Sequence, residues 1–227
     1  MQDSCLHLTG PSRAIMSTDK IHIEIQLKVK GTMKSKDRSL MTKAFACSDG
    51  ANDASITHSI HGCFCKIELR CEHLQESIQA TILSVRVKDG SLFPADGVKI
   101  ISSSLPKQGA EGKADHVVLL DQKDGKLTVD EEGYLDLSRQ IVSVKLEGSL
   151  KVFTETFQGS DFLRMGYVDL EPKPSNISIK ECILGQCKLE ITVAWSLIVD
   201  DEQDMLMMSY TKPFMIPSKF PFMKLLG

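Results

Sequence analysis

The chain has 227 residues, 42% hydrophobic and 25% charged, with a formal net charge of -3, the size and composition of one globular domain rather than a disordered or fibrous chain. So nearly balanced a charge supplies no basic field to gather nucleic acid or an anionic membrane surface, so neither is an expected partner. No run approaches the roughly 18 consecutive apolar residues that a helical membrane span requires.

The dominant signal is alternation with period two, which sends every second side chain to one face of a strand. In the first run Ile21, Ile23, Ile25, Leu27 and Val29 share one face, and His22, Glu24, Gln26, Lys28 and Lys30 the other. From Gly31 the chain turns polar, and Thr32 to Lys43 reads as a loop with a helical turn at most. Its basic residues and those just before it, Lys28, Lys30, Lys34, Lys36, Arg38 and Lys43, read as solvated. A second strand turns Cys63, Cys65, Ile67, Leu69 and Cys71 inward, with Lys66, Glu68, Arg70 and Glu72 outward. In the third, Ile78, Ala80 and Ile82 keep even parity while Val85 and Val87 are odd, so a β-bulge is expected near Leu83 and Ser84.

Asp89-Gly90, Asp96-Gly97 and Asp124-Gly125 supply turn chemistry around the apolar run Val117 to Leu120. Two long alternations follow. Val142, Val144, Leu146, Leu150 and Val152 form one, and Cys187, Leu189, Ile191, Val193, Trp195, Leu197 and Val199 the other. Both are expected to be central strands, with Trp195 in the core. Glu171-Pro172-Lys173-Pro174 is a stiff connector within one domain. From Asp200 the character changes, and Pro213, Pro217 and Pro221 forbid a continuous helix.

The expected fold is all-β: an antiparallel two-layer β-sandwich with few or no helices, one domain over residues 1–199, then a Met-, Phe- and Pro-rich tail over 200–227.

The cysteines number seven, without framework spacing, and Met1 to Gly10 lacks a secretory pattern. Reduced thiols in the cytoplasm are the expected state. The triplet Asn176-Ile177-Ser178 matches the glycosylation sequon but is not expected to be used there.

His58, His61, Cys63, Cys65, Cys71 and His73 are six candidate metal ligands in one short segment. A tetrahedral zinc would take four of them. Against this, the cysteines share a face with Ile67 and Leu69, where thiols simply pack. Residues i and i+2 of a strand also lie roughly 7 Å apart, too far to chelate without a turn. His58 and His61 read as solvated residues of the preceding loop.

No G-x-S-x-G motif is present, and Gly109-Ala110-Glu111-Gly112-Lys113 lacks the spacing of a phosphate-binding loop. No catalytic residue and no cofactor is expected. The tail residues Met205, Met207, Met208, Phe214, Phe220 and Phe222 are candidates for binding a partner, because methionine and aromatic side chains adapt to apolar surfaces.

Leu6 to Ile15 (LHLTGPSRAI), Leu27 to Gly31, Val117 to Asp121, Leu137-Ser138-Arg139 with Val142-Ser143-Val144, and Cys187 to Ser196 together resemble a domain of unknown function found in grasses. Some of its members follow a ribosome-inactivating rRNA N-glycosylase domain. The resemblance implies no reaction. No Glu here is followed three residues later by Arg, the pair such a glycosylase would need. Members usually carry further strands before the L-x-L-T-G-P motif, so the chain is expected to be short there, leaving a sheet edge that invites β-augmentation or self-association.

The resulting expectation is a non-catalytic protein-interaction or regulatory module, linked through the resemblance to defence or toxin regulation. Its alternatives are an enzyme of unrecognised type and a zinc-stabilised β protein.

Overall fold

The computed structural model describes residues 14–16, 21–33, 36–47, 55–74, 76–88, 97–106, 116–122, 129–197 and 222–226. Among them no α-helix forms. In chain order the strands are β1 (Ile15–Met16), β2 (Ile21–Val29), β3 (Arg38–Cys47), β4 (Ser55–His61), β5 (Lys66–Leu74), β6 (Ser77–Val87) and β7 (Gly97–Pro106). They continue as β8 (His116–Gln122), β9 (Ile141–Lys145), β10 (Gly148–Gln158), β11 (Asp161–Leu170), β12 (Ser175–Leu184), β13 (Cys187–Ser196) and β14 (Phe222–Leu226).

The main body is the expected antiparallel sandwich. A sheet of order β11-β10-β7-β8 faces one of order β12-β13-β6-β9. Alternation delivers one face of each to the shared core. Ile100, Leu119, Leu150 and Leu170 come from the first sheet, and Ile78, Ile82, Leu189, Ile191 and Trp195 from the second. Full burial of each such aliphatic side chain is worth about 1.5–3 kcal/mol. As expected, β13 is central, and β6 carries a bulge at Leu83, since Ile82 pairs with Val193 while Ser84 pairs with Thr192.

The alternation from Val142 to Val152 reads as one strand but is two. Strands β9 and β10 belong to opposite sheets and are joined by a turn at Leu146 and Glu147. Even-numbered residues point into the core from both sheets, so parity passes through the turn unbroken and hides it.

The two sides of the sandwich close differently. On one, edge strands β11 and β12 pack together, and Lys180 donates to the Asp169 carbonyl. On the other, the chain between Val129 and Gln140 stitches the layers. It first turns at Gly133, whose φ of 92° suits glycine. Leu135 N–H then donates to Val85 O at 2.9 Å. Next it crosses to β8, where Ser138 Oγ and Arg139 N both donate to Leu119 O, at 2.9 and 3.1 Å. It returns to β6, where Ile82 N donates to Gln140 O at 2.8 Å.

A second, smaller pair of layers precedes this body. Its sheet has the order β1-β14-β5-β4, and the hairpin β2-β3 packs on it around Cys47, Cys71, Ile21, Ile23, Phe45 and Leu69. The polar stretch read as a loop to Lys43 is corrected here: β3 begins at Arg38. Met41 and Cys47 are buried, while Arg38 and Lys43 lie on the wet face, so a hairpin with only one covered face keeps its charges without leaving the sheet. Of the tail, residues 222–226 form β14 between β1 and β5. Met205, Met207, Met208, Phe214 and Phe220 lie outside the described residues, and Phe222 begins β14.

Candidate functional site

The predicted histidine and cysteine cluster is dispersed by the hairpin that carries it. Strand β4 includes His58 and His61, so neither is in a loop, and His58 is half-buried on the inner face while His61 is exposed. Cys63 and Phe64 sit at the turn, where Gly62 N–H donates to Cys65 O at 2.8 Å. Cys63 is therefore exposed rather than inward, because β5 starts only at Lys66, and Cys65 is half-buried. Cys71 and His73 are buried. Among the described residues no three His, Cys, Asp or Glu side chains converge as metal ligands would.

Sequence spacing did not point to the partner His58 does find, which is Cys47 of β3. Its Sγ lies 3.1 Å from His58 Nε2, and the Phe45 ring is centred 5.4 Å from the imidazole. A thiol beside an imidazole resembles an activated nucleophile. Cys47 is only 3% exposed, however, and sits in the small core with Cys71. The pair is a packing contact between layers, closed to a substrate.

Burial, with a further contribution from Cys47, pushes the Cys71 thiol up to about 11. Burial, with Cys187, does the same to Cys182, also to about 11. Folding thus holds protons that the unfolded chain releases near the ordinary value of 9.0. The stabilisation is whole below that value and is lost as pH rises through about 11. In folded protein at pH 8, iodoacetamide is expected to modify Cys63 first and to leave Cys71 and Cys182 intact, as read by peptide mass spectrometry. Alkylation of Cys71 ahead of Cys63 would contradict the arrangement.

The most distinctive surface is the outer face of the β11-β10-β7-β8 sheet. Its register aligns Val118, Ile101, Phe153 and Tyr167 in one row across all four strands. An outer sheet face is ordinarily polar, but Tyr167 is 57% exposed and its neighbour Met165 55%. The rings form a chain: His116 to Phe153 at 6.1 Å, edge-on, and Phe153 to Tyr167 at 5.8 Å, tilted. At one corner Phe162 meets Phe157 at 6.0 Å and is 56% exposed.

Charges of both signs flank the row. Lys99 and Asp121 lie 3.9 Å apart on one side, with Glu155 in register, and Lys151 and Asp169 lie 3.9 Å apart on the other. Lys151 Nζ also stands 5.3 Å from the centre of the Tyr167 ring. The sequence carried a trace of this site. Extending the outward positions Ser149 and Lys151 by two steps reaches Phe153, an aromatic where a polar residue is expected. Strand β11, too apolar on its outer face to alternate cleanly, gave no strand signal.

A shallow depression lies beside the Gly133 turn, lined by Val129, Asp130, Tyr134, Leu135 and Asp136. Its Asp130 is committed to the turn, accepting from Glu132 N at 3.0 Å and Tyr134 N at 2.7 Å. The guanidinium of Arg86 covers Tyr134 at 5.1 Å. No acid and base converge there.

A further exposed feature is the set of three isoleucines Ile177, Ile179 and Ile183 on the outer face of β12. Asn176, at the start of that strand, is exposed with φ of 106°. Among the described residues no helix is long and apolar enough to cross a membrane.

One family model, described as a domain of unknown function (DUF6598), matches residues 1–193. No curated protein and no solved structure matches the chain.

Proposed function

The chain belongs to the DUF6598 family of domains of unknown function, and from that premise we propose that it is a non-catalytic protein-interaction module docking its partner on the outer face of the β11-β10-β7-β8 sheet. The observation that carries this reading is the row Val118–Ile101–Phe153–Tyr167, an apolar stripe crossing a face that would otherwise be polar. Single exposed apolar residues are ordinary, but a contiguous patch rimmed by charge has the anatomy of an interface centre. Tyr167 and Phe153 are rigid anchors that lose little entropy on binding. The paired charges at the rim suit a partner that brings its own mixed charges around an apolar centre. A catalytic reading has less to rest on, since the depression beside the Gly133 turn offers no converging acid and base among the described residues. We place the module in the cytoplasm, in keeping with the unbridged thiols of Cys63, Cys65, Cys71 and Cys182. Regulation of a toxin-like enzyme in a plant is the setting the sequence resemblance suggests.

A photo-cross-linking residue at Met165, with a control at Lys188 on the opposite sheet, tests the docking face. One protein captured at Met165 and not at Lys188 is expected. Tyr167→Ala should weaken that partner's binding about thirtyfold, the ~2 kcal/mol of a central aromatic anchor, without changing the melting temperature. The same adducts at both positions, or a captured second copy of this chain, would overturn the reading.

A further inference from the structure

Arg139 is 5% exposed and, histidine aside, is the only buried residue among the described ones whose side chain carries a charge at neutral pH. Its backbone is held from both layers, since its own N–H donates to Leu119 O of β8 and the next residue's carbonyl accepts from Ile82 N of β6. Its side chain makes no hydrogen bond or ion pair with any described residue, and its Nε–H is buried without a partner.

Such a group is costly. A buried lysine or carboxylate can shed its charge, but a guanidinium stays protonated in proteins, so burial must be offset by an opposite charge or by hydrogen bonds. Burial draws the Arg139 pKa below its ordinary value, and no carboxylate among the described residues counters it. A long side chain lying over apolar surface normally keeps its head in water. Arg139 departs from that at its Nε–H, which is covered and unpartnered.

We propose that Arg139 is the recognition element of a small oxyanion site at the seam between the sandwich layers, taking the paired oxygens of a carboxylate or a phosphate on its planar fork. The ligand class follows from the donor. Two parallel N–H groups match two oxygens of one planar or tetrahedral oxyanion, whereas chloride offers a single centre. The site lies on the β8 and β9 side and is independent of the proposed docking face.

Thermal melts of the full chain at constant ionic strength, with sodium phosphate or sodium acetate replacing sodium chloride, test the proposal. A ligand that binds only the folded form raises the melting temperature with the logarithm of its concentration. A rise with one or both oxyanions and none with chloride is expected, phosphate and acetate separating the two sources. Arg139→Met should abolish the rise, and Arg139→Lys should need at least tenfold more anion, because an ammonium cannot fork. Should Arg139→Met not fold, the Arg139 Nε–H resonance of the unaltered protein, assigned through Arg139→Lys, reads the same event by its shift on phosphate or acetate addition. No oxyanion-dependent rise and no shift, or an equal rise in Arg139→Met, overturns the proposal.

Discussion

Trp195→Ala is expected to lower the unfolding free energy by about 3–5 kcal/mol, the range for emptying an aromatic site in a packed core. Trp195 is 4% exposed on the central strand β13, paired with Asn176 of β12 on one side and Ala80 of β6 on the other. Ala80 has no exposed surface, so the large ring sits beside a small neighbour and the volumes compensate. Truncation removes that fit, and rigid strands on both sides limit collapse into the space. It also deprives Ser178 Oγ of the indole Nε1–H that donates to it at 2.9 Å within the core.

Trp195→Phe separates the two contributions. It keeps most of the apolar area while losing the hydrogen bond, at about 1–3 kcal/mol. Urea unfolding followed by circular dichroism is the measurement, because Trp195 is the only tryptophan and its fluorescence vanishes with it. A Trp195→Ala midpoint within the error of the parent's, at unchanged slope, would refute the described core.

Gly166→Val is expected to cost about 3 kcal/mol, the upper part of the usual range for overpacking. A Cβ at Gly166 would stand 2.8 Å from Cys182 Sγ, 2.9 Å from Ile183 O and 3.1 Å from Leu184 Cδ2. A sulfur or a methyl group can yield, but Ile183 O belongs to the backbone of β12. Relief therefore requires β11 to move away from β12, opening the side of the sandwich where the two sheets meet. The loss should appear as a lower melting temperature, with faster amide hydrogen exchange concentrated in β11 and β12. An unchanged melting temperature would mean that the two edges do not touch.

The sequence announced the sandwich because inward positions repeat wherever a sheet has one dry face. Ile78, Ile82, Leu189 and Ile191 are all fully buried where parity places them. Parity reports the face but not the sheet, which is why Val142 to Val152 concealed a change of layer. It also misjudges short, half-covered layers. Arg38 and Lys43 argued for a loop only because a charged strand was assumed to need two covered faces.

The docking face was harder to see, since Val118, Ile101, Phe153 and Tyr167 come from four strands and form a row only through register. No window of sequence contains them. His58 illustrates the same limit: its partner Cys47 belongs to another layer, and nothing in the spacing of His58, His61, Cys63 and Cys65 could indicate it. Arg139 stood in a recognised motif, but its burial depends on the path from β8 to β6, which composition does not reveal.

Strand β14 pairs with β5, its register matching Phe222 with Leu74 and Leu226 with Arg70. On a ribosome the two segments are made far apart in time, and β5 is complete long before its neighbour exists. Until residues 222–226 emerge, the β4-β5 hairpin presents bare backbone amides and carbonyls along one side, the kind of edge that nascent chains pair wrongly. Strand β14 touches β8 and β9 of the larger sandwich, whose sheets are complete without it, so that body can assemble first, while a contact of such long sequence separation forms slowly. Of the described sheets the smaller is thus the last to close, and the window before it does so leaves that edge exposed to aggregation and to chaperones.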